Sequence, residues 1–144
     1  MEYCAFCGEL AEHNDYSDKL TDLTVSTLRL NKIQTYKGYC SLIFTKRHVT
    51  GLEQLTDAEY QAFMHDLQRA ARAIYNALTP DLINYASLGN VISHLHFHII
   101  PRYEQDVRFG KPIWTTDEKD MVEHFLTADE WIKLKQRLMQ ALLA

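Results

Sequence analysis

Apolar and polar residues alternate along this chain with two different periods, and each change of period marks an element. From Leu23 to Leu30, Val25, Thr27 and Leu28 outline a first strand. A stronger one runs from Tyr39 to Thr45, rich in aromatic and β-branched residues and flanked by Gly38 and Lys46-Arg47. The period then becomes helical. Thr56-x-x-Glu59 is a capping box with Leu55 placed as a hydrophobic staple, and Tyr60, Phe63, Met64, Leu67, Ala70, Ala71, Ile74 and Leu78 keep helical spacing behind it. This predicts a helix over about Asp57–Leu78 that ends before Pro80. Leu82–Ala86 is a short strand candidate, broken by Gly89-Asn90. A second capping box, Thr127-x-x-Glu130, opens an amphipathic helix over about 127–143 carrying Trp131, Leu134, Leu138 and Leu142.

The sharpest alternation is His94-Leu95-His96-Phe97-His98-Ile99-Ile100-Pro101-Arg102. In a strand, side chains alternate faces, so His94, His96 and His98 share one face and Leu95, Phe97 and Ile99 the other. A helix would not bring residues two apart together. Pro101 is expected to close this strand. The order β, β, long α, β, β, α predicts an α+β fold, a mainly antiparallel sheet with a long central helix and a C-terminal helix packed on it. The polar N-terminal stretch, residues 1–22, has no element of its own and needs tying down. Tyr103 to Asp120 reads as irregular, with Gly110, Pro112 and Trp114.

Composition adds boundaries. With 144 residues and neither linker nor repeat, one domain over 1–144 is expected, with a core over 4–115. A formal charge of −4 argues against a nucleic-acid partner. Two local basic clusters, Lys46-Arg47 and Arg102 with Arg108 and Lys111, could still hold a small anion. No apolar run approaches the roughly 20 residues of a membrane span, and the start lacks a signal-peptide pattern, so a cytoplasmic protein is expected. In a reducing compartment Cys4-x-x-Cys7 reads as metal ligands or a redox pair. Cys40 reads as a core residue, and His13, His65 and His124, which belong to no motif, as surface residues.

Three alternating histidines admit several chemistries: a merely polar sheet face, a zinc site with an open position, or imidazole attack on phosphorus. A neutral histidine keeps a free lone pair near neutral pH. Nearby Asn84, Gly89, Asn90 and Arg102 are the amide, backbone and cationic donors that a phosphoryl centre uses. A metal site would need a further carboxylate or imidazole, and nothing places Asp81 on the histidine face.

The run from Asn84 to Tyr103 closely resembles the histidine-triad (HIT) family of nucleotide hydrolases and transferases, whose signature His-φ-His-φ-His-φ-φ (φ hydrophobic) it matches at every position. The resemblance reaches back through Lys46-Arg47-His48-Val49 to Cys4-x-x-Cys7. Forward, it reaches Gly110-Lys111-Pro112-Ile113-Trp114, which looks like the tail of bacterial dinucleoside-polyphosphate hydrolases. It implies that His96 is the nucleophile on the α-phosphorus of a purine mono- or dinucleotide, such as a dinucleoside polyphosphate or a phosphoramidate. A covalent nucleotidyl-histidine would form, with His98 bonding the phosphate or the leaving oxygen. Asn84, Gly89, Asn90, Ser93 and Asn31 fall at nucleotide-binding positions, Asn90 where many members carry Gln. Zinc-bearing relatives, and the related galactose-1-phosphate uridylyltransferases, imply a structural Zn2+ on Cys4, Cys7, His48 and His94. The family also implies a homodimer. Two other readings are a non-catalytic nucleotide-binding module of the same fold and a mononuclear zinc hydrolase using all three triad histidines.

Overall fold

The structure, a computed structural model, describes residues 4–8, 10–115 and 122–144. Its strands are β1 (Ser17–Asp22), β2 (Ser26–Asn31), β3 (Cys40–Phe44), β4 (Leu82–Ala86) and β5 (His96–Arg102), and its helices α1 (Asp57–Leu78) and α2 (Ala128–Leu143). The strands form one five-stranded sheet in the order β1-β2-β3-β5-β4. Every pairing is antiparallel. The expected α+β architecture is borne out.

Strand alternation sorts the sheet into two faces. Leu28 and Leu30 of β2, Leu42 and Phe44 of β3 and Ile99 of β5 join the core with Phe63, Ala70 and Ile74 of α1. Residues of opposite parity, Arg29, Asn31, Ser41, His96 and His98, therefore lie on the face away from α1. Pairing aligns them in rows: Arg29 opposite Ser41, Ser41 opposite His98, and Ile43 opposite His96. Both helices start on complete capping boxes, at Thr56/Glu59 and Thr127/Glu130. No helix among the described residues is long and apolar enough to cross a membrane.

Three sequence expectations need correction. The N-terminal stretch contains β1, whose residues Asp18 and Lys19 concealed it. Asp18 is 3% exposed and accepts from the Trp131 indole at 2.9 Å and the Lys135 ammonium at 3.0 Å. With Lys32 3.2 Å away, these partners hold its carboxyl far below the usual range despite burial. A buried carboxylate with such donors thus ties α2 to the sheet edge. Pro101 does not close the triad strand but pairs with Ile83 inside it. β3 begins at Cys40, opposite Ile99, and does not reach that level, so the missing N–H leaves no ladder bond to β3 unmade. His94 lies ahead of β5 rather than on it.

The irregular reading of 103–120 holds for 103–115, which carries no helix or strand, while residues 116–120 lie outside those described. One unanticipated anchor sits in α1. Asp66 is fully buried and accepts from Thr24 N (3.1 Å), Val25 N (2.9 Å) and Ser26 Oγ (2.7 Å), fixing the β1–β2 turn to the helix.

Candidate functional site

His96 and His98 are neighbours on the open face of β5, ring centroids 5.0 Å apart. Their nitrogens are not equivalent. His96 Nδ1 lies 2.6 Å from the His94 carbonyl. A carbonyl can only accept, so in the neutral ring Nδ1 carries the proton and Nε2 has the lone pair. His98 Nδ1 meets the Tyr39 hydroxyl at 2.6 Å. Burial pushes the Tyr39 phenol well above its ordinary value, so it stays protonated and can donate. With the hydroxyl donating, His98 Nδ1 accepts and Nε2 is the protonated nitrogen; with the hydroxyl accepting, the tautomer is reversed. Burial, with a smaller contribution from neighbouring His96, lowers His98 to about 4, so it is neutral at pH 7. In the first of these tautomers one imidazole offers a lone pair and its neighbour an N–H.

The walls come from distant parts of the chain. Trp114 stacks edge-on against His98 with centroids 5.0 Å apart, and Phe6 does the same against His96 at 5.0 Å. Beside His98 opens a cavity of about 760 Å³ lined by Asn31, Tyr36, Tyr39, Ile113, Trp114 and Phe125, among others. It is apolar and aromatic with a few polar groups, the character of a small-molecule site. Asn31 Oδ1 accepts from Ser41 Oγ at 2.9 Å, which holds the amide at the cavity wall.

Of the other expected nucleotide contacts, Asn84 lies on the same sheet face, and its Oδ1 accepts from Arg102 Nη1 at 2.7 Å. Gly89, Asn90 and Ser93 lie in the loop between β4 and β5, where Gly89 has φ +67°. The Asn90 and Ser93 side chains are exposed and make no hydrogen bond among the described residues.

One arginine of each basic cluster is engaged within the fold rather than free to take an anion as the sequence suggested. Arg47 is paired with Glu59 at 2.7 Å. Arg102 is 2% exposed and grips Asp106 through Nε (2.9 Å) and Nη2 (3.1 Å). Its remaining N–H groups reach Asn84 Oδ1, the Lys111 carbonyl (2.7 Å) and the Arg108 carbonyl (2.8 Å). The Tyr36 ring covers the guanidinium at 5.0 Å. All five donors are used, so Arg102 organises the segment that carries Trp114.

His94 has a different task. Its Nε2 lies 2.6 Å from the Phe44 carbonyl, which puts the proton there and turns the Nδ1 lone pair toward Cys4 and Cys7, each 3.5 Å away. His48 Nδ1 is 3.2 Å from both His94 Nδ1 and Cys7 Sγ. One candidate ligand atom from each of the four residues falls within 4.8 Å of the others. A tetrahedral zinc with ordinary bond lengths requires edges of about 3.3 Å between nitrogens and about 3.6 Å between nitrogen and sulfur, close to the observed spacings. Burial lowers the His94 pKa, the Phe44 carbonyl opposing it, and favours the neutral form a ligand needs. The donor set, the tautomer and the spacing all fit such an ion. The cluster does not include His96 or His98, whose Nδ1 atoms are occupied elsewhere, which argues against one zinc held by all three triad histidines.

Sequence reasoning missed Tyr39, Trp114 and Phe6 at this site. Tyr39 was legible only as a strand residue, since its contact with His98 spans 59 positions.

Comparison with known proteins agrees with this geometry. The HIT domain family model matches residues 13–105, and the chain belongs to that family. It is 30% identical to Protein hit of Bacillus subtilis over 83% of each chain. It is 26% identical to an adenosine 5'-monophosphoramidase of Schizosaccharomyces pombe, over 74% of this chain and 80% of the relative. A shorter match, 34% identical over 47% of this chain and 38% of the relative, is to an AP-4-A phosphorylase of Mycobacterium tuberculosis. Among solved structures, the histidine triad protein blr8122 of Bradyrhizobium japonicum superposes with a TM-score of 0.80 at 23% identity, covering 89% of this chain and 92% of that one. A Zn-bound histidine triad family protein of Mycobacterium smegmatis superposes with a TM-score of 0.58 at 22% identity, covering 87% and 83%.

Proposed function

We propose that this HIT-family chain is a nucleotide hydrolase or transferase that works through a nucleotidyl-histidine on His96, acting on dinucleoside polyphosphates or nucleotide phosphoramidates. The observation that carries this reading is the His96 Nδ1 bond to the His94 carbonyl, which leaves Nε2 unprotonated beside His98. Nε2 attacks the α-phosphorus and an N–P bond forms. The bond to the leaving oxygen or nitrogen breaks, and the leaving group keeps the electron pair. His98 Nε2–H donates a hydrogen bond to the phosphate or leaving oxygen, where negative charge develops. Water then attacks the same phosphorus and loses its proton to solvent as the N–P bond breaks, its electron pair returning to His96 Nε2, and nucleoside monophosphate is released. The names of the phosphoramidase and phosphorylase relatives support both substrate classes. The aromatic cavity beside His98 is the proposed nucleoside pocket, with Asn31 toward the ribose. Asn84, Gly89, Asn90 and Ser93 are the proposed phosphate-side contacts.

Zinc, when bound to Cys4, Cys7, His48 and His94, would be structural, because four protein ligands close the coordination sphere. These residues would then pin the N-terminal loop, with Phe6, against His96.

The chain is also proposed to act as a homodimer. β4 is an open sheet edge, and Tyr75 and Tyr85 beside it are 55% and 51% exposed. Light scattering should give twice the chain mass; a monomer mass at working concentration refutes this.

The catalytic test is an α-phosphorus-labelled substrate. Wild type should trap acid-labile label on the protein, while His96→Ala should trap none and lose turnover by at least about a thousandfold. Retained turnover in His96→Ala overturns the proposal. Nucleotide binding without turnover across both substrate classes would instead favour a non-catalytic module.

A further inference from the structure

Phe6 stands between Cys4 and Cys7 in the sequence, and in space it packs on both the candidate zinc ligand His94 and the proposed nucleophile His96. Its ring meets His96 edge-on with centroids 5.0 Å apart and 84° between planes, and meets His94 at 6.1 Å. His98 also lies against His96, at 5.0 Å. His96 is thus flanked by two rings and is 6% exposed.

Two connections run from the Cys4–Cys7–His48–His94 cluster to His96, and they are held in different ways. One is the His94 carbonyl, which accepts from His96 Nδ1 at 2.6 Å. Its frame does not depend on the cysteines. His94 Nε2 bonds the Phe44 carbonyl at 2.6 Å, Leu95 N donates to the Val49 carbonyl at 2.8 Å, and Phe44 N donates to the Leu95 carbonyl at 3.1 Å. The other connection is Phe6. Among the described residues, 4–8 make one backbone hydrogen bond, Cys7 N to the Cys4 carbonyl at 3.3 Å, and it is internal to the loop. Only the two sulfurs bond outward, each to His94 at 3.5 Å and Cys7 also to His48 at 3.2 Å. The next anchors along the chain are the Ala11 and Glu12 carbonyls, which accept from Arg29 Nη2. A thiol is a weak hydrogen-bonding group, so a part-buried ring on such a loop stays in place only as firmly as those sulfurs are held.

We infer that Phe6 is a positioning residue for His96, and that zinc on Cys4, Cys7, His48 and His94 decides whether it is in place. With zinc bound, Phe6 covers part of the His96 imidazole and limits its swing. Without zinc, the loop opens and His96 is uncovered, while its Nδ1 bond to the His94 carbonyl persists. The metal site is therefore coupled to the reactive ring through one side chain. That coupling rests on the zinc site and the role of His96 proposed above; it does not require that turnover follow.

The test is modification of the full-length chain by diethyl pyrocarbonate at one pH, stopped at low conversion and read at each histidine by tandem mass spectrometry. Stripping zinc from wild type with a chelator should speed modification of His96 by about fivefold. Phe6→Ala, its zinc verified by elemental analysis, should show the same increase with the metal in place. Chelating that variant should then add less than about twofold, because the two perturbations act through one side chain. His98, held by Tyr39 and Trp114, is the internal reference, and its rate should change by less than about twofold throughout. The inference is overturned if wild type or Phe6→Ala binds no zinc, or if either chelation or Phe6→Ala leaves His96 unchanged. It is equally overturned if chelation acts as strongly on Phe6→Ala as on wild type, or if His98 speeds up along with His96. No readout depends on turnover, so failure of the nucleotidyl-histidine chemistry would be seen separately.

Discussion

Replacing His98 with Gln should flatten the acid sensitivity of folding. The native imidazole titrates at about 4, because burial and His96 disfavour its charged form, whereas an unfolded histidine titrates near 6.5. Above about pH 6.5 the ring is neutral in both states and contributes no pH dependence. As pH falls from about 6.5 to about 4, the unfolded chain takes up a proton that the native state refuses, and stability is lost. Below about 4 both states are protonated and the loss levels off. At pH 5 linkage gives about 2 kcal/mol. The ring is only partly buried, and solvent screening reduces this to about 1–1.5 kcal/mol. Urea unfolding at about pH 7.5 and about pH 5, with zinc held constant, should show wild type losing about 1–1.5 kcal/mol more than His98→Gln. The Gln amide supplies an acceptor or a donor for the Tyr39 hydroxyl, and other titrating groups cancel in the difference. Equal losses, or a greater loss in the variant, would refute the idea that His98 is held neutral by its surroundings.

Asp66→Ala should destabilise the fold by about 3–4 kcal/mol in urea, because it strands two backbone N–H groups and the Ser26 hydroxyl; a loss below about 1 kcal/mol would mean that water satisfies the turn. Elemental analysis should find one zinc per chain. A strong chelator, or Cys4→Ser, should lower Tm and expose the N-terminal loop to protease, whereas unchanged Tm and protection would remove the structural role.

Legibility from sequence followed the range of the interaction. α1 was readable to both ends because its capping box and apolar stripe are local patterns. The triad was readable because strand periodicity brings His96 and His98 to one face without reference to the rest of the chain. β1 was not, since Asp18 looks solvated until α2 supplies Trp131 and Lys135 from 113 and 117 positions away. Pro101 misled because its tolerance depends on where β3 stops. Arg102 misled most: beside the triad it reads as a phosphate ligand, and only tertiary structure shows it enclosed by Asp106, Asn84 and two carbonyls. Tyr39 carries no local signature, and Trp114 was legible only as part of the Gly110–Trp114 resemblance, with nothing in it to place the ring against His98.

The Arg102 knot also bears on how this site can diversify. In the 107–111 segment its partners are the carbonyls of Arg108 and Lys111, not their side chains. Any residue supplies a carbonyl, so positions 107, 109 and 111 can change identity while the guanidinium keeps its ligands and Trp114 its place. The wall of the pocket is thereby uncoupled from the scaffold that holds it. A lineage could reshape the pocket by drift along this segment, with the triad histidines undisturbed at each step.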